Sequence, residues 1–283
     1  PQFATPTLDV FEIILSVPGG RRLYGLLTRP KDLSTGPYPL LVESKGAGPA
    51  DLSVSDRGKD GRVTLVMNVH YYEPPVGARK KDNYPLHNRE VDRLAARYPT
   101  AKRGYEFTGI AVSREDYFYY GAILGINRAV DWVAALKRID TRDFRYAGQS
   151  QGGAFGIILS ALNTHLTRAQ IGEPAVTDIS GFLAEGRQSG WPLLPEKFEG
   201  KPCYDNMMKI LPYFDCAHFV PRIKIPTRWF VGFIDELCPP SAVWAGYNCL
   251  TTTDKKMLNC PGLGHGIPAV LYRDSVKEVE AMW

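Results

Sequence analysis

The spacing of apolar residues along the chain predicts short strands that alternate with helices. Near the N-terminus, two runs rich in β-forming residues, 8–17 and 22–28, are joined by a Pro-Gly-Gly turn at 18–20, which is typical of a β-hairpin. Two compact apolar runs follow at 40–43 and 63–68, bounded by Gly, Pro and Asp residues. Continuous apolar runs of this length indicate strands buried in a parallel sheet.

The same alternation continues to the C-terminus. A long amphipathic helix is predicted over 116–138, where apolar residues recur at spacings of three and four. The remaining predicted elements are strands at 144–147, 227–232 and 256–259 and helices at 151–163, 241–250 and 270–283. We therefore predict an α/β fold, with a mostly parallel twisted sheet, an N-terminal antiparallel hairpin and helices on both faces. One domain is expected over 1–283.

Two segments show no clear periodicity. Residues 69–113 carry several prolines and many charges, and residues 181–212 are rich in Gly and Pro. Long irregular segments in a compact domain are usually functional or disordered. We expect both segments to be irregular and to form walls of an active site.

Composition narrows the classes of partner. The 283 residues are 44% hydrophobic and 23% charged, which is ordinary for a globular protein. No stretch approaches the about 20 apolar residues of a membrane-spanning helix, so no membrane partner is expected. The net charge of +4 is spread along the chain, which favours a solvated surface over a nucleic-acid site.

The terminus and the cysteines add two expectations. The sequence does not begin with Met, so we expect the natural protein to continue upstream. The location stays open: periplasmic or secreted if a signal was removed, otherwise cytoplasmic. Five cysteines without Cys-x-x-Cys or Cys/His ligand spacing are expected to be mainly buried thiols, with room for one disulfide and no zinc site.

The first candidate for chemistry is a serine in Gly148-x-Ser150-x-Gly152. This motif follows a short apolar run directly and precedes a helix of small residues. A nucleophile elbow needs this context, because its serine occupies a sharp strand-to-helix turn where flanking side chains would collide with neighbouring backbone. The motif predicts Ser150 as a nucleophile.

A serine hydroxyl needs a base within hydrogen-bond reach and an acid that orients the base. In α/β hydrolases these residues follow the serine in the order acid, then histidine, each on a loop after a strand. Asp235 follows an apolar run and His265 lies in a glycine-rich loop, so both positions fit. Glu236 is an alternative acid. The other four histidines are expected to be surface or structurally bonded residues: His70, His87, His165 and His218.

Acyl transfer also needs two N–H donors for the oxyanion. The backbone amide of Gln151, which follows the nucleophile, is the first candidate. The second is expected in the glycine-containing segment 44–48 after a predicted strand, with Ala47 as the donor.

Two stretches resemble one known family. The first runs from 116 to Gln149-Ser150-Gln151-Gly152-Gly153, and the second runs from 213 to 248 through Asp235-Glu236-Leu237-Cys238-Pro239-Pro240-Ser241. The chain resembles the acetyl xylan esterase and cephalosporin-C deacetylase family, carbohydrate esterase family 7. This resemblance implies the α/β-hydrolase fold, a triad of Ser150, Asp235 and His265, and no metal or organic cofactor.

The chain also departs from the family pattern. Lys45-Gly46-Ala47 replaces the family's His-Gly-Tyr, which keeps a backbone donor but removes an aromatic wall of the acyl pocket. His70-Tyr71-Tyr72 stands where the family has Arg-Gly-Gln, and His265-Gly266 where it has His-Glu. The family's N-terminal helical segment is missing. These changes bear on substrate choice and on the family's ring-like hexamer, so a homo-oligomer is left open.

The residues and the resemblance together predict a serine carboxylesterase that removes small acyl groups, most simply acetyl, from a carbohydrate. The expected partner is a small-molecule or oligosaccharide ester. Alternatives are an esterase for bulkier feruloyl or glucuronoyl esters and a non-catalytic carbohydrate-binding module. Candidate substrate contacts are Lys45, Tyr71, Tyr72 and Trp191. Most of the aromatic residues that could line a sugar cleft, Tyr204 and Trp229 included, are expected to pack in the core or at an interface instead.

Overall fold

A computed structural model describes residues 3–4, 6–32, 34, 36–54, 61–78, 80–99 and 102–266. The chain divides into two compact units. Unit 1 comprises Pro1–Tyr146 and Asn163–Thr167, and unit 2 comprises Ala147–Leu162 and Arg168–Trp283. The helix predicted at 270–283 lies outside the described residues. The expectation of one domain over 1–283 stays a prediction.

The sheet of unit 1 begins with the predicted hairpin. Its strands are β1 Phe3–Ala4, β2 Leu8–Val17, β3 Arg21–Pro30, β4 Tyr38–Ser44, β5 Val63–Met67 and the larger part of β6 Ile139–Gln149, in the order β1-β2-β3-β5-β4-β6. Antiparallel pairing links β1 to β2, β2 to β3 and β3 to β5, and β4 pairs with β5 in parallel. The hairpin closes through Gly19 and Gly20, whose φ values of 76° and 68° suit glycine. The hairpin prediction is confirmed.

Two helices belong to unit 1, α1 Tyr84–Arg97 and α2 Phe118–Ala134. Helix α2 corresponds to the predicted long helix and packs closely on the hairpin, because a Cβ atom at Gly125 would lie 2.2 Å from Leu23 Cδ1. The prediction that 69–113 is irregular is wrong over α1. Pro85 lies in the first turn of α1, where its missing N–H costs nothing, and few apolar residues mark the helix.

Unit 2 contains the end of β6 followed by β7 Arg168–Gly172, β8 Thr227–Gly232 and β9 Lys255–Cys260, in that order. Pairing is parallel from β7 to β8 and from β8 to β9. Its helices are α3 Gln151–Leu162, α4 Ile179–Glu185, α5 Leu194–Phe198, α6 Tyr204–Ile210, α7 Cys216–Phe219 and α8 Pro240–Asn248. Because parallel strands end at the same edge of a sheet, the loops that follow β7, β8 and β9 all lie at the carboxyl edge.

Three features of unit 2 differ from the sequence predictions. Strand β7 was not predicted, because its five residues include only two apolar side chains larger than glycine. The segment 181–212 is not irregular throughout, since it contains α5, all of α6 and most of α4. None of the five cysteines, all of which lie in the described part of the chain, forms a disulfide, and only Cys216 and Cys238 are buried.

The core of unit 2 is formed by its buried strands and by helix α3. Every residue of β8 is buried, and the first ten residues of α3 are buried as well. Trp229 on β8 is fully buried and packs against Tyr247, so it belongs to the core. The predicted mostly parallel sheet with an antiparallel N-terminal hairpin is confirmed. Within the described part of the chain, we find no helix with the length and apolarity that crossing a membrane requires.

Candidate active site

Ser150 occupies the turn between β6 and α3. Its φ of 57° is in the left-handed region, which is strained for a residue with a side chain. The Ser150 N–H donates to the Gly172 carbonyl at 2.9 Å, and its own carbonyl accepts from Ala154 N at 3.0 Å. A Cβ atom at Gly153 would lie 2.6 Å from Gly172 O, so the helix needs a glycine there. This is the geometry of a nucleophile elbow.

His265 joins the serine to an acid through both ring nitrogens. Its Nε2 lies 3.0 Å from Ser150 Oγ, and its Nδ1 lies 2.8 Å from Asp235 Oδ2. A carboxylate only accepts hydrogen bonds, so Nδ1 carries the proton and donates it to Asp235. Nε2 then presents a lone pair to the serine hydroxyl. The structure therefore brings together the three residues that the sequence singled out.

Asp235 is held rigidly in the loop after β8. It is only 3% exposed, and its Oδ1 accepts hydrogen bonds from Leu237 N at 2.8 Å and Cys238 N at 2.9 Å. The neighbouring Glu236 is exposed instead. Asp235, and not Glu236, therefore meets His265, because the turn that Leu237 N and Cys238 N close on Asp235 Oδ1 leaves Oδ2 facing the imidazole.

The loop that carries His265 is fixed to the end of β8. Phe233 N donates to Cys260 O at 3.1 Å and Ile234 N to Leu263 O at 3.0 Å. Contact is closest at Gly232, where a Cβ atom would lie 2.5 Å from Leu263 O and 2.6 Å from Gly264 O. Glycine at 232 thus lets the histidine loop approach the strand that leads to the acid.

Sequence reasoning missed Glu173, which lies directly after β7. It is fully buried, and its Oε2 accepts from Gln149 Nε2 at 2.8 Å and from Gly266 N at 3.0 Å. The same oxygen lies 3.9 Å from His265 Nδ1. An acid directly after a strand is a usable sequence signal, but β7 itself escaped the prediction.

The charges around His265 set its protonation. Burial lowers the pKa of His265, but the hydrogen bond to Asp235 and the charges of Asp235 and Glu173 raise it, with a net direction upward from 6.5. Burial raises the pKa of Glu173, while its hydrogen bonds from Gly266 and Gln149 lower it. The site thus favours a charged imidazolium more than water does.

The two predicted oxyanion donors lie in different units. Gln151 is the first residue of α3, so its backbone N–H lies at the positive end of the helix dipole beside Ser150. Ala47 lies in the loop after β4, in unit 1. There, Lys80 Nζ donates to Ala47 O, and Gly48 N donates to Tyr105 Oη at 3.3 Å.

His70 also supports the loop after β4. It is fully buried, which excludes a surface position and agrees with the structurally bonded alternative. Its Nε2 lies 2.8 Å from Gly48 O and its Nδ1 lies 2.6 Å from Glu90 Oε2. Nε2 donates to the Gly48 carbonyl, which can only accept, and a hydrogen bond joins Nδ1 to the Glu90 carboxyl group. This buried pair fixes the backbone that carries Ala47.

The His70–Glu90 pair is also part of a possible ligand cluster with His87, whose side-chain ligand atoms lie within 4.8 Å of theirs. Burial lowers the pKa of His87 to about 4, which keeps its ring neutral. Both nitrogens of His70 and both oxygens of Glu90 already have hydrogen-bond partners. His70 and Glu90 are thus held by hydrogen bonds to each other and to the backbone, whereas among the described residues His87 Nδ1 is buried without a hydrogen-bond partner.

The four predicted substrate contacts have different surroundings. Tyr71 is buried, donates from its hydroxyl to Phe118 O at 2.6 Å and lies under the Arg21 guanidinium, so its contacts are those of packing. Tyr72 is half-buried and accepts from Ala50 N at 2.7 Å.

Lys45 and Trp191 are both half-buried. Lys45 Nζ lies 3.5 Å from Ser53 Oγ. Trp191 is the one substrate candidate in unit 2, where its backbone N–H donates to Leu237 O at 2.8 Å, two residues after Asp235 in the sequence. Of the four candidates, Tyr71 is thus the one whose side chain is buried in contacts within the protein.

Comparison with known proteins gives a family and several relatives. The model of the family described as Acetyl xylan esterase (AXE1) matches residues 1–277. A curated relative, Acetyl esterase Axe7A of Xylanibacter ruminicola, is 24% identical over 272 residues. That alignment covers 91% of this chain and 56% of the relative, so the chain spans about half the length of that protein.

Two solved structures are similar over nearly the whole chain. The acetyl xylan esterase from Paenibacillus sp. R4 has a TM-score of 0.78 at 21% identity, covering 99% of this chain and 86% of that one. Acetyl xylan esterase 1 from Thermoanaerobacterium sp. JW/SL YS485 has a TM-score of 0.77 at 17% identity, covering 100% and 86%. At such identities the similarity shows the fold, which is that of α/β hydrolases.

Proposed function

The chain belongs to the acetyl xylan esterase family, and from that premise we propose that it is a serine esterase that removes acetyl groups from carbohydrates. The observation that carries the proposal is the hydrogen-bonded series from Ser150 through His265 to Asp235. Family and site agree, because hydrolysis of an acetyl ester needs a nucleophile, an imidazole base and an acid that orients the imidazole, and it needs no redox chemistry.

In the proposed reaction, Ser150 Oγ attacks the ester carbonyl while His265 Nε2 takes its proton. Asp235 holds the Nδ1–H and stabilises the imidazolium. The oxyanion is stabilised by the backbone N–H of Gln151, with Ala47 as the second donor that the sequence predicts. His265 then returns the proton to the departing sugar oxygen, and water repeats the cycle on the acetyl-enzyme.

The proposed substrate class is supported by the family and by the names of the relatives above, which are an acetyl esterase and two acetyl xylan esterases. We propose acetylated xylo-oligosaccharides or similar acetylated sugars as substrates. A single experiment tests both parts of the proposal: acetate release from acetylated xylan, together with labelling by a fluorophosphonate probe. Release with labelling of Ser150 supports the proposal, and labelling without release from any acetylated sugar contradicts the substrate class.

A second candidate function is hydrolysis of bulkier esters, such as feruloyl or glucuronoyl esters. It is favoured by Ala47, because the family that the sequence resembles has an aromatic residue at this position. Ala47 itself is only half-buried. A panel of acetyl, butyryl and feruloyl esters separates the two, because an acetyl esterase loses kcat/KM as the acyl group grows. Carbohydrate binding without labelling would instead favour a non-catalytic module.

A further inference from the structure

Glu173 is a buried carboxylate beside the proposed triad, and the proposed mechanism does not use it. Its side chain is 1% exposed, and its backbone φ is 39°, a strained value for a residue with a long side chain. Buried charges and strained backbone both cost free energy and persist where the surroundings or the function require them. Both features coincide at this residue.

Its hydrogen bonds link the two ends of the catalytic arrangement. Oε2 accepts from the side chain of Gln149, which directly precedes Ser150, and from the backbone of Gly266, which directly follows His265. Gly266 has a φ of 84°, a left-handed value that suits glycine and turns its N–H towards the carboxylate. One oxygen atom of Glu173 thus ties the histidine loop to the elbow.

The carboxylate also lies within ion-pair distance of the imidazole. Oε2 of Glu173 is 3.9 Å from His265 Nδ1, compared with 2.8 Å for Oδ2 of Asp235. The Nδ1–H therefore points to Asp235 in this arrangement, with Glu173 about one ångström beyond hydrogen-bond distance. A small rotation of the ring or of the carboxyl group would bring Glu173 within reach.

The second carboxylate oxygen of Glu173 is available as a hydrogen-bond acceptor. Among the described residues, Oε1 is a buried atom with no hydrogen-bond partner. It lies against the backbone of Gly232, where a Cβ atom would be 3.0 Å away. An unsatisfied buried acceptor costs free energy, so its retention calls for a reason beyond packing.

We propose that Glu173 is a second acidic positioning residue for His265: it holds the histidine loop on the elbow, and it accepts the Nδ1–H hydrogen bond when the Asp235 carboxylate is removed. The inference rests on the proposed function, because it assigns Glu173 a role in the same serine hydrolysis. In the step concerned, Ser150 Oγ bonds to the ester carbonyl carbon, the C=O electron pair moves to the oxyanion, and the serine proton passes to His265 Nε2. Both carboxylates stabilise the resulting imidazolium.

Other groups near the imidazole do not compete for this role. Among the residues that the structure describes, the titratable groups that face it are Asp235 and Cys238 from the loop after β8 and Glu173 from the loop after β7. Burial raises the pKa of the Cys238 thiol, so it stays neutral. Glu236 is exposed on the same loop as Asp235 and offers a matched control for the loss of one nearby carboxylate.

The first test measures the titration of His265 by NMR in wild type, Glu173→Gln and Glu236→Gln. Glutamine keeps the shape and an acceptor oxygen but removes the charge. We expect the midpoint to move to lower pH in Glu173→Gln and to stay in place in Glu236→Gln. An unchanged midpoint in Glu173→Gln overturns the proposal. This measurement needs no turnover, so it distinguishes failure of the Glu173 role from failure of the proposed esterase function.

The second test uses kcat/KM for 4-nitrophenyl acetate in single and double variants. Loss of the orienting acid costs about 10⁴-fold in serine hydrolases that have only one. With Glu173 as substitute, we expect Asp235→Ala to cost about 10²-fold and Asp235→Ala/Glu173→Gln to cost about 10⁴-fold. Glu173→Gln alone should cost less than about tenfold. If the loss of kcat/KM in the double variant equals the product of the losses in the two single variants, the proposal is contradicted.

A third variant covers the case in which Glu173→Gln does not fold. Glu173→Asp keeps the charge and shortens the side chain, so we expect its His265 midpoint to stay near that of the wild type. A purely structural Glu173 predicts the opposite pattern, with the isosteric glutamine silent and the shorter aspartate damaging. That pattern would overturn the proposal.

Discussion

The Nε2 atom of His265 lies 3.0 Å from the Oγ atom of Ser150, although 115 positions separate the two residues in the chain. The distance is short because β6 and β9 belong to one series of strands whose carboxyl ends lie at the same edge. Strand β8, between them in sequence, ends before the loop that carries Asp235. Three separate loops thus converge on one hydroxyl.

Removal of that hydroxyl should abolish activity without unfolding the protein. Ser150 is 7% exposed and makes its backbone hydrogen bonds through atoms that alanine keeps. We expect Ser150→Ala to lose at least about 10⁴-fold in kcat for 4-nitrophenyl acetate, with an unchanged circular dichroism spectrum. Turnover close to that of the wild type would remove Ser150 from its proposed role.

Activity should fall on the acid side at a pH above 6.5, the ordinary pKa of histidine. The base must be neutral to take the serine proton, and the pKa of His265 is raised above 6.5 in the folded protein. As the pH drops through that raised value, the imidazole becomes protonated and kcat/KM declines. Acetate release measured from pH 5 to 9 should therefore reach half its plateau above pH 6.5. A midpoint below that value contradicts the assignment of Asp235 and Glu173 as charged neighbours.

The close approach at Gly232 should make this position sensitive to a single methyl group. Alanine would place Cβ 2.5 Å from Leu263 O, so the histidine loop must shift. We expect Gly232→Ala to reduce kcat/KM about 10²-fold, because small displacements of a catalytic group are costly. Gly262→Ala is the matched control on the same loop, where a Cβ atom meets nothing within 4 Å. Equal losses in both variants would refute the steric explanation.

The buried pair of His70 and Glu90 should matter more for stability than an exposed pair on the same helix. Glu90→Gln leaves the His70 ring, with 1% of its side chain exposed, facing a neutral amide. We expect a loss of about 3–5 kcal/mol in the free energy of unfolding in urea, typical of a broken buried pair. Asp92→Asn breaks the exposed contact with Arg103 and should cost less than about 1 kcal/mol. Similar values for the two variants would contradict a stabilising role for the buried pair.

Local rules explain which parts of the fold were predictable. Hairpin β2–β3, the buried strands β4, β5 and β8 and helix α2 have strong periodicity and clear turn residues, and the predictions for them agree with the structure. Helix α1 is hidden in a segment rich in prolines and charges, and β7 has too short an apolar run. Tertiary packing, and not intrinsic propensity, stabilises such elements.

The sequence by itself determined the nucleophile motif, the order of serine, acid and histidine, and the α/β class, because these depend on turn chemistry and periodicity within a few residues. Only the tertiary structure decided that Asp235 and not Glu236 meets His265, that Glu173 lies behind the same imidazole, and that His70 is buried against Glu90. These relationships join residues that are far apart in the chain, or depend on the direction of one loop side chain. Their distances are set by how strands and loops pack, which no local pattern encodes.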